Sequence, residues 1–485
     1  MKEKMIQFLN SKKFILISFL LISIAFAVPS IIYMFQNGTI LHFNEWYKFC
    51  LNDSNRVEQT IIYLVILTLL TILYFLIIKN RDKLFKNNKQ MYLYIAIIAL
   101  IFAIVVPFIS SDVFYYLGIG RIDSEYGQNP YYVTIKDFVE SNSVDLEKDT
   151  VLAAGYENYW ANTTVVYGPV WTFICKIVAG ITFGNIDVAL FTLKLINILI
   201  HIINCYLIYK LTGKRIFVLL YGLNPYMFID GIANVHNDIY VICFMLTALY
   251  FLVKKKKIVI SILFLALATA IKYFAILLLP FFIIYYFQDK KPSERLKKCL
   301  IYGILFMAMV AITYCFYIQD MQVLSGIMTQ QEKFAKSFYI IIMEYFDIPD
   351  LCPNINGTLL GVFVIIYFFT CISLLYKKHI KFGEEMRKCE YFLIAFLFLL
   401  ITNFQTWYIM WLFPLLKWQK KEVIQLIIQI SLISQFANMV FLINGEGWRN
   451  GTPFTFFMLL GVCLCFIFRE IIKSQKRRKR CLKLL

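Results

Sequence analysis

The stretch from residue 91 to residue 121 contains the transition that decides the fold of this chain. Its first nineteen residues, Met91 to Ile109, read MYLYIAIIALIFAIVVPFI and carry no charge. About 20 apolar residues in a helix cross the hydrocarbon core of a bilayer. The following stretch, 110–121, reads SSDVFYYLGIGR and brings an aspartate, two tyrosines and an arginine together. This predicts a membrane helix that ends at the bilayer surface and continues into a polar segment at headgroup depth.

The composition extends this interpretation to the whole chain. Of its 485 residues, 60% are hydrophobic and 18% aromatic. Apolar runs alternate with short lysine-rich segments, a pattern typical of membrane proteins whose backbone groups are satisfied inside helices. We therefore predict an all-α, polytopic integral membrane protein with about 13–14 transmembrane helices. The runs are 13–35, 59–78, 91–109, 186–209, 216–230, 239–253, 258–271, 273–287, 299–318, 357–376, 390–404, 406–416, 422–443 and 454–468.

The net charge of +18 raises the question of nucleic-acid binding. When the chain changes sides after each apolar run, most of its 48 Lys and Arg residues fall on one side. This is the positive-inside pattern, so it predicts cytoplasmic amino and carboxyl termini and no nucleic-acid partner. The basic start and the Ala25-Phe26-Ala27 site of the first run are also features of a cleaved signal peptide. Apolar residues continue to Phe35, however, which favours an uncleaved first helix.

A long extracytoplasmic loop, residues 110–185, follows the third run. Within it, 169–183 is apolar but has only 15 residues, with Lys176 in the middle. Because this is too short to span a bilayer, we predict an interfacial helix that begins at Pro169. The chain then divides into amino-terminal membrane helices (1–90), a central region with the loop (91–420), and carboxyl-terminal helices with a basic tail (421–485).

The loop begins with a pattern that suggests a site. In a helix, Asp112, Tyr115 and Tyr116 share one face, which places a carboxylate above aromatic rings. Arg121 lies on the opposite side of such a helix and reaches the same site only if the helix ends near Gly118 or Gly120.

Three later segments bring more polar groups to the same side of the membrane. GLNPYMFIDGIANVHND contains His236, Asn237 and Asp238, which suit a metal, a proton, sugar hydroxyls or a structural hydrogen bond. Lys272 suits a phosphate, although snorkelling of its stem explains it equally well. Trp407 and Tyr408 lie at an outer turn, where aromatic side chains also form the interfacial belt.

The order of these motifs resembles the GT-C superfamily of polytopic glycosyltransferases, in particular the bacterial polyprenol-phosphate-mannose-dependent mannosyltransferases. The resemblance covers residues 90–420 and rests on SSDVFYYLGIGR, GQNPY, YGPVW, NPYMFIDGIANVHND, ATAIKYFAILLLP and TWYIMWLFPLL. It implies a GT-C-like fold and an inverting transfer on the extracytoplasmic face. The donor would be a polyprenyl-phosphate sugar, and the acceptor a glycan or lipid-linked glycan.

The resemblance also implies roles for individual residues. The exterior-loop aspartate, Asp112 here, would be the general base, a contribution of about 10²–10⁴-fold to the rate. Independently of the resemblance, the chemistry of their side chains suits Arg121 and Lys272 to bind the donor phosphate. The sequence has one acid at position 112 where some relatives have two adjacent acids, so the use of a divalent cation stays open. The predicted substrate-binding residues are Tyr115, Tyr116, Asn129, Tyr131, Tyr167, His236, Asn237, Asp238, Trp407 and Tyr408.

Two other functions fit parts of the pattern. A transporter or flippase of lipid-linked sugars would place ionisable residues near the bilayer midplane, often at broken helices. A glycan ligase or polymerase would also act outside the cell. The residues do not identify the sugar, and mannose follows from the resemblance alone.

Overall fold

A computed structural model describes residues 12–39, 56–331 and 351–444, together with the isolated positions 348, 461, 464, 465 and 469. In these ranges the backbone forms helices and no strand, as predicted. Both termini, the basic tail beyond residue 469 and the apolar run 454–468, apart from those isolated positions, lie outside the described residues.

The helices follow one another with short connections. The first half contains α1 (Lys12–Asn37), α2 (Arg56–Leu84), α3 (Asn88–Ile104), α4 (Asp112–Ser124), α5 (Ile135–Ser141), α6 (Thr150–Tyr156), α7 (Pro169–Ile181), α8 (Ile186–Thr212), α9 (Arg215–Gly222) and a π-helix (Met227–Ala233). Then come α10 (Asp238–Tyr250), a π-turn (Phe251–Lys255), α11 (Ile258–Thr269), a 3₁₀ helix (Tyr273–Leu278), α12 (Leu279–Tyr286) and α13 (Pro292–Tyr314). The last part contains a 3₁₀ turn (Met321–Leu324), α14 (Ser325–Gln331), α15 (Cys352–Tyr376), α16 (Phe382–Ala395), a π-turn (Phe396–Leu400), a 3₁₀ helix (Thr406–Trp418) and α17 (Lys421–Asn444).

Five helices of the described part are long and apolar enough to cross a membrane: α1, α2, α8, α13 and α15. A sixth span results if α9 and the following π-helix, bent by 59°, count as one. The chain is therefore an all-α polytopic membrane protein. The predicted total of about 13–14 spans includes shorter runs, such as α3 and α11, and it remains a prediction.

Helix α8 shows how the sequence sets the length of a span. Asn185 caps its first turn through a hydrogen bond to the backbone N–H of Val188, and Gly213 ends it with a φ of 66°. At 1.5 Å per residue its 27 residues extend about 40 Å, enough to cross a bilayer. Just beyond its carboxyl end, Arg215 donates hydrogen bonds to Asn88 and to the carbonyl oxygen of Phe85. The basic loops after α2 and α8 therefore meet at one end of the molecule.

Within residues 110–185, the predicted exterior loop, α4 packs against α6 and α7. The condition for Arg121 to reach the Asp112 site is not met, because α4 continues through both glycines to Ser124. A Cβ on Gly118 would lie 2.9 Å from the Cα of Gly155 in α6, and one on Gly120 would lie 2.3 Å from the carbonyl oxygen of Cys175 in α7. These glycines permit close helix contact and do not end the helix.

Helix α7 has the predicted start and an amphipathic face. Pro169 occupies the first turn, where its missing N–H leaves no helix hydrogen bond unmade. Trp171 and Cys175 are buried against the rest of the protein, whereas Phe173 and Ile177 are exposed. The helix confirms that 169–181 forms a short element, and its position in a membrane interface remains a prediction.

Candidate active site

The first residue of α4 carries a half-buried carboxylate. Asp112 accepts a hydrogen bond of 3.2 Å at Oδ1 from the indole Nε1 of Trp160, and one of 3.4 Å at Oδ2 from the hydroxyl of Tyr116. Tyr116 lies one turn further along, as its i, i+4 spacing predicts. A carboxylate has about four acceptor positions, so room remains for a substrate hydroxyl.

A second tyrosine connects this carboxylate with the next part of the site. The hydroxyls of Tyr116 and Tyr167 are 3.2 Å apart, and their rings meet edge to face. Tyr167 precedes Gly168, whose N–H donates to the carbonyl oxygen of Ile271. A Cβ on Gly168 would lie 2.1 Å from the carbonyl oxygen of Ala270. Glycine thus lets the 167 segment lie directly against the segment that leads to Lys272.

Lys272 forms a buried ion pair beside the tyrosines. Its Nζ donates to both carboxylate oxygens of Asp238, at 2.7 and 2.9 Å. The indole N–H of Trp411 donates to the same carboxylate. The Lys272 ammonium also lies 4.5 Å from the ring centre of Tyr408 and 6.0 Å from that of Tyr167. These contacts hold the Lys272 ammonium against the rings of Tyr408 and Tyr167, whose faces attract a cation. We call these two rings the aromatic rim of the site.

The charges of Asp112 and Lys272 act on each other. Burial raises the pKa of Asp112 above the ordinary aspartate value, and a hydrogen bond from Ser110 and the charge of Lys272 oppose this effect. Burial lowers the pKa of Lys272, and the carboxylates of Asp238 and Asp112 oppose it. A carboxylate and a cation on different elements therefore lie within electrostatic reach of each other.

The tight turn between the π-helix and α10, which begins at Asn234, leads into the predicted His-Asn-Asp cluster. Asn234 accepts backbone hydrogen bonds of 3.0 Å from Phe108 and Ile109, which ties the turn to the segment before α4. Val235 has a φ of 58°, a conformation that a β-branched residue rarely adopts. Strain of this kind persists where neighbouring contacts hold it, often at functional sites.

The side chains of this cluster are more buried than the sequence suggests. His236, Asn237 and Asp238 are fully buried within the protein, and their position on the outer side of the membrane remains a prediction. The His236 ring stacks on Trp407 at 3.8 Å, and its pKa is lowered by burial and by the charge of Lys272. Among the described residues, neither the ring nitrogens of His236 nor the side-chain amide of Asn237 has a hydrogen-bond partner.

Arg121 lies apart from this group. Nine residues after Asp112 in a continuous helix, it is displaced by about 13 Å along the axis. Its guanidinium donates 2.7 Å from Nε to Asp149 and 3.1 Å from Nη1 to Glu125. These contacts speak against Arg121 as a ligand of the donor phosphate and indicate that it links α4 to the start of α6.

Two predicted binding residues, Tyr131 and Asn129, donate hydrogen bonds to backbone carbonyl oxygens. Tyr131 is 1% exposed and donates 2.8 Å to the carbonyl oxygen of Tyr167, with Thr172 at 3.1 Å. Asn129 donates 2.7 Å to the carbonyl oxygen of Tyr317. The Tyr131 contact holds the 167 segment, and the burial of Tyr131 leaves its ring inaccessible to a sugar.

Tyr115 and Trp407 are also mostly enclosed. The hydroxyl of Tyr115 donates 3.1 Å to the carbonyl oxygen of Thr163. Trp407 is 5% exposed, with one ring face covered by His236. Of the predicted aromatic residues, Tyr167 and Tyr408 remain half exposed at the rim.

Sequence reasoning missed two tryptophans at this site. Trp160 lies in YENYWANTT, a stretch inside the exterior loop, and its indole reaches Asp112. Trp411 lies four residues after Trp407 and contacts Asp238. The sequence feature that could have indicated a role for Trp160 is the presence of a tryptophan among polar loop residues.

No metal centre is evident in the part of the chain that the structure describes. Within it, no group of three or more His, Cys, Asp or Glu side chains is arranged to hold a metal ion. The buried polar atoms without a hydrogen-bond partner in the 236–237 turn belong to the imidazole of His236 and the amide of Asn237.

Comparisons with known families cover both halves of the chain. The model of the alpha-(1->6)-mannopyranosyltransferase N-terminal domain, of the MptA/B family, matches residues 16–288. The model of the GPI transamidase subunit PIG-U matches residues 176–468. Both describe GT-C-type membrane proteins. No curated protein and no solved structure matches the chain.

Proposed function

The chain belongs to the MptA/B family of alpha-(1->6)-mannopyranosyltransferases, and we propose that it transfers mannose from a polyprenyl-phosphate-mannose donor to a mannose-containing glycan or glycolipid. The reaction takes place on the extracytoplasmic face of the membrane. The observation that carries this proposal is the pairing of a half-buried carboxylate, Asp112, with a buried cation, Lys272, at one aromatic-rimmed site.

Asp112 acts as the general base. An acceptor hydroxyl is a weak nucleophile until its proton is removed as the new bond forms. The acceptor oxygen bonds to the anomeric carbon while its proton passes to an Asp112 carboxylate oxygen. The bond from the anomeric carbon to the phosphate oxygen breaks, and polyprenyl phosphate leaves with the electron pair. The family name points to the 6-hydroxyl of a mannose as the acceptor group.

Lys272 binds the phosphate of the donor. The leaving group gains negative charge as its bond breaks, and a preorganised cation in a site shielded from water stabilises that charge. Lys272 is 9% exposed and forms an ion pair with Asp238, and its charge also acts on Asp112. A compact ammonium suits this role as a point charge.

The stereochemistry follows from a single displacement. One base and one direct attack invert the configuration at the anomeric carbon. An α-linked product therefore requires a β-linked mannosyl phosphate as donor. We expect the β-linked donor to be used and its α anomer to be rejected.

An apolar groove provides a place for the polyprenyl chain. It lies between α15 and α16, has a volume of about 680 Å³ and includes Phe363 and Phe392 in its lining. Its lining also includes Leu399 and Leu400, which shortly precede Tyr408 in the chain. We place the donor chain in this groove, with its phosphate directed toward Lys272. The family match favours transfer over the transporter, flippase, ligase and polymerase alternatives.

An Asp112→Asn variant tests the base. The purified full-length chain is incubated with polyprenyl-phosphate-mannose and an alkyl α-mannoside acceptor, and release of polyprenyl phosphate is followed. We expect Asp112→Asn to lower kcat by about 10²–10⁴-fold. Asp145→Asn, in an exposed part of the same exterior loop, is the matched control and stays within about twofold of the unsubstituted enzyme. Near-normal turnover of Asp112→Asn removes the base assignment.

A further inference from the structure

The segment 158–163 is tied to the first turn of α4 at two backbone points. Asn158 donates 2.7 Å from its side-chain amide to the carbonyl oxygen of Ser111. Tyr115 donates 3.1 Å to the carbonyl oxygen of Thr163. Both acceptors are main-chain oxygens, so these contacts fix the register of the segment relative to the residue that begins α4.

Trp160 lies between these two points and is held on both sides. Its backbone N–H donates 2.9 Å to the side-chain oxygen of Asn158. Its carbonyl oxygen accepts from the backbone N–H and the hydroxyl of Thr163, at 2.9 and 2.7 Å. The indole is half buried and directs Nε1 to Oδ1 of Asp112 at 3.2 Å. The backbone on either side of Trp160 is therefore fixed, and the indole N–H points at the carboxylate.

An indole N–H is a donor only, so it interacts with the carboxylate in one direction. A donor on Oδ1 occupies one lone pair, limits rotation of the carboxylate and stabilises its ionised form. Tyr116 provides a second and longer contact, at 3.4 Å to Oδ2. Of these two hydrogen bonds to Asp112, the one from Trp160 is shorter, and the backbone that carries its donor is held on both sides.

Resting on the proposed function, we infer that Trp160 is a positioning residue for the Asp112 base: its indole N–H, held in place by the 158–163 segment, orients the carboxylate toward the acceptor hydroxyl. Trp160 takes no proton itself. It acts through Asp112: both residues lie in the predicted exterior loop, Asp112 at the start of α4 and Trp160 in the 158–163 segment.

Other groups that titrate or carry charge also face Asp112. Lys272 faces it from the segment after α11, Tyr115 and Tyr116 from α4, Tyr167 from the segment before α7, and Tyr408 from the 3₁₀ helix 406–418. Burial raises the pKa of Tyr115, Tyr116 and Tyr167. These phenols stay neutral across the acid range, so the acid limb of the rate profile reports the carboxylate.

The test is the pH dependence of Trp160→Phe, which keeps an aromatic ring and removes the N–H. Transfer from polyprenyl-phosphate-mannose to the alkyl α-mannoside is measured with the full-length chain between about pH 4 and pH 8. Losing a donor to the ionised carboxylate raises the pKa of Asp112, so the acid limb of kcat/KM moves up by about one pH unit. At neutral pH kcat falls about tenfold because the Asp112 carboxylate is less well oriented toward the acceptor hydroxyl. The KM for the donor stays within about twofold.

Tyr159→Phe is the matched control, because Tyr159 is the neighbouring residue and is 82% exposed. It keeps the acid limb and kcat of the unsubstituted enzyme. If Trp160→Phe does not fold, Asn158→Ala replaces it; this variant loosens Trp160 without touching the indole and moves the acid limb in the same direction by a smaller amount.

The outcomes separate this inference from the proposed function. An unchanged acid limb and unchanged kcat in Trp160→Phe, with Asp112→Asn inactive, overturn the role of Trp160 and leave the base in place. A higher KM with an unmoved acid limb also overturns it, since Trp160 would then contact the substrate. Full activity of Asp112→Asn overturns the base assignment itself.

Discussion

At the residue scale, the best-defined contact of the site is the ion pair of Lys272 and Asp238. Asp238 is fully buried and begins α10, where the helix dipole favours a negative charge. Lys272 comes from a different part of the chain, between α11 and the following 3₁₀ helix. Breaking such a pair by removing one partner costs about 3–5 kcal/mol, because the other charge is left buried alone.

This cost allows the roles of Lys272 in stability and in catalysis to be separated. We expect Lys272→Met to lower thermal stability and to abolish transfer. Adding Asp238→Asn removes the orphaned carboxylate, so the double variant recovers most of the lost stability. Its transfer activity stays below about 1% of normal, since the phosphate still lacks its cation. Thermal unfolding in detergent and phosphate release are the two measurements.

The opposite pattern would contradict the assignment. If the double variant regains transfer together with stability, Lys272 serves only to neutralise Asp238. Lys148→Met, a matched control from the exposed pair of Lys148 and Asp145, should change neither property, because exposed ion pairs contribute little.

Single residues also show how far sequence reasoning reaches. The i, i+4 spacing of Asp112 and Tyr116 predicted their contact, because both lie on one helix whose geometry is regular. The pairing of Lys272 with Asp238 joins residues 34 positions apart and could not be read from spacing. Arg121 was misjudged because the helix between it and Asp112 continues further than its glycines suggest.

At the element scale, glycines determine how closely the exterior segments approach one another. Gly168 lies where the segment before α7 contacts the end of α11, and the backbone N–H of Val170 donates to the carbonyl oxygen of Ala270 at this place. A side chain at 168 would meet this backbone, not a flexible side chain that could move.

We therefore expect Gly168→Ala to damage both stability and activity. Its Cβ would lie 2.1 Å from the carbonyl oxygen of Ala270, so the two segments must separate and Tyr167 moves away from Lys272. Overpacking of this kind costs about 1–3 kcal/mol or more. The loss is measured as a lower midpoint of thermal unfolding, together with reduced phosphate release.

Gly361→Ala is the control for this prediction. Gly361 lies in α15, where an added Cβ would meet only open space, and alanine is the better helix former. This variant keeps or slightly raises stability. Equal behaviour of the two variants would show that the contact at Gly168 does not restrain the site.

At the scale of the whole molecule, the site and the basic loops occupy different ends of the helices. The loops after α2 and α8 meet through Arg215 and Asn88, while the start of α8 lies beside the exterior loop, where Ile186 donates from its N–H to Thr150. The ends of a span of about 40 Å cannot lie on the same side of a bilayer. Together with the positive-inside rule, this leads us to expect the site outside the cytoplasm.

Cysteine labelling in intact cells tests this sidedness. We expect Tyr159→Cys, near Asp112, to react with a membrane-impermeant maleimide in intact cells. Lys255→Cys, in an exposed lysine-rich loop, should react only after the membrane is permeabilised. The unsubstituted chain provides the background from its native cysteines. Labelling of Lys255→Cys alone in intact cells would reverse the topology and with it the proposed face of reaction.

The sequence by itself determined the all-α membrane class and the helix that carries Asp112, and it predicts that residues 110–185 lie outside the cytoplasm. It could do so because apolar run length, helical spacing and lysine placement are local properties that the bilayer acts on directly. Only the tertiary structure decided which polar groups meet. Hydrogen bonds of the 158–163 segment brought Trp160 to Asp112, and a buried ion pair joined Lys272 to Asp238. Such contacts depend on residues that are distant along the chain, whereas Arg121 is kept away because α4 continues past its glycines.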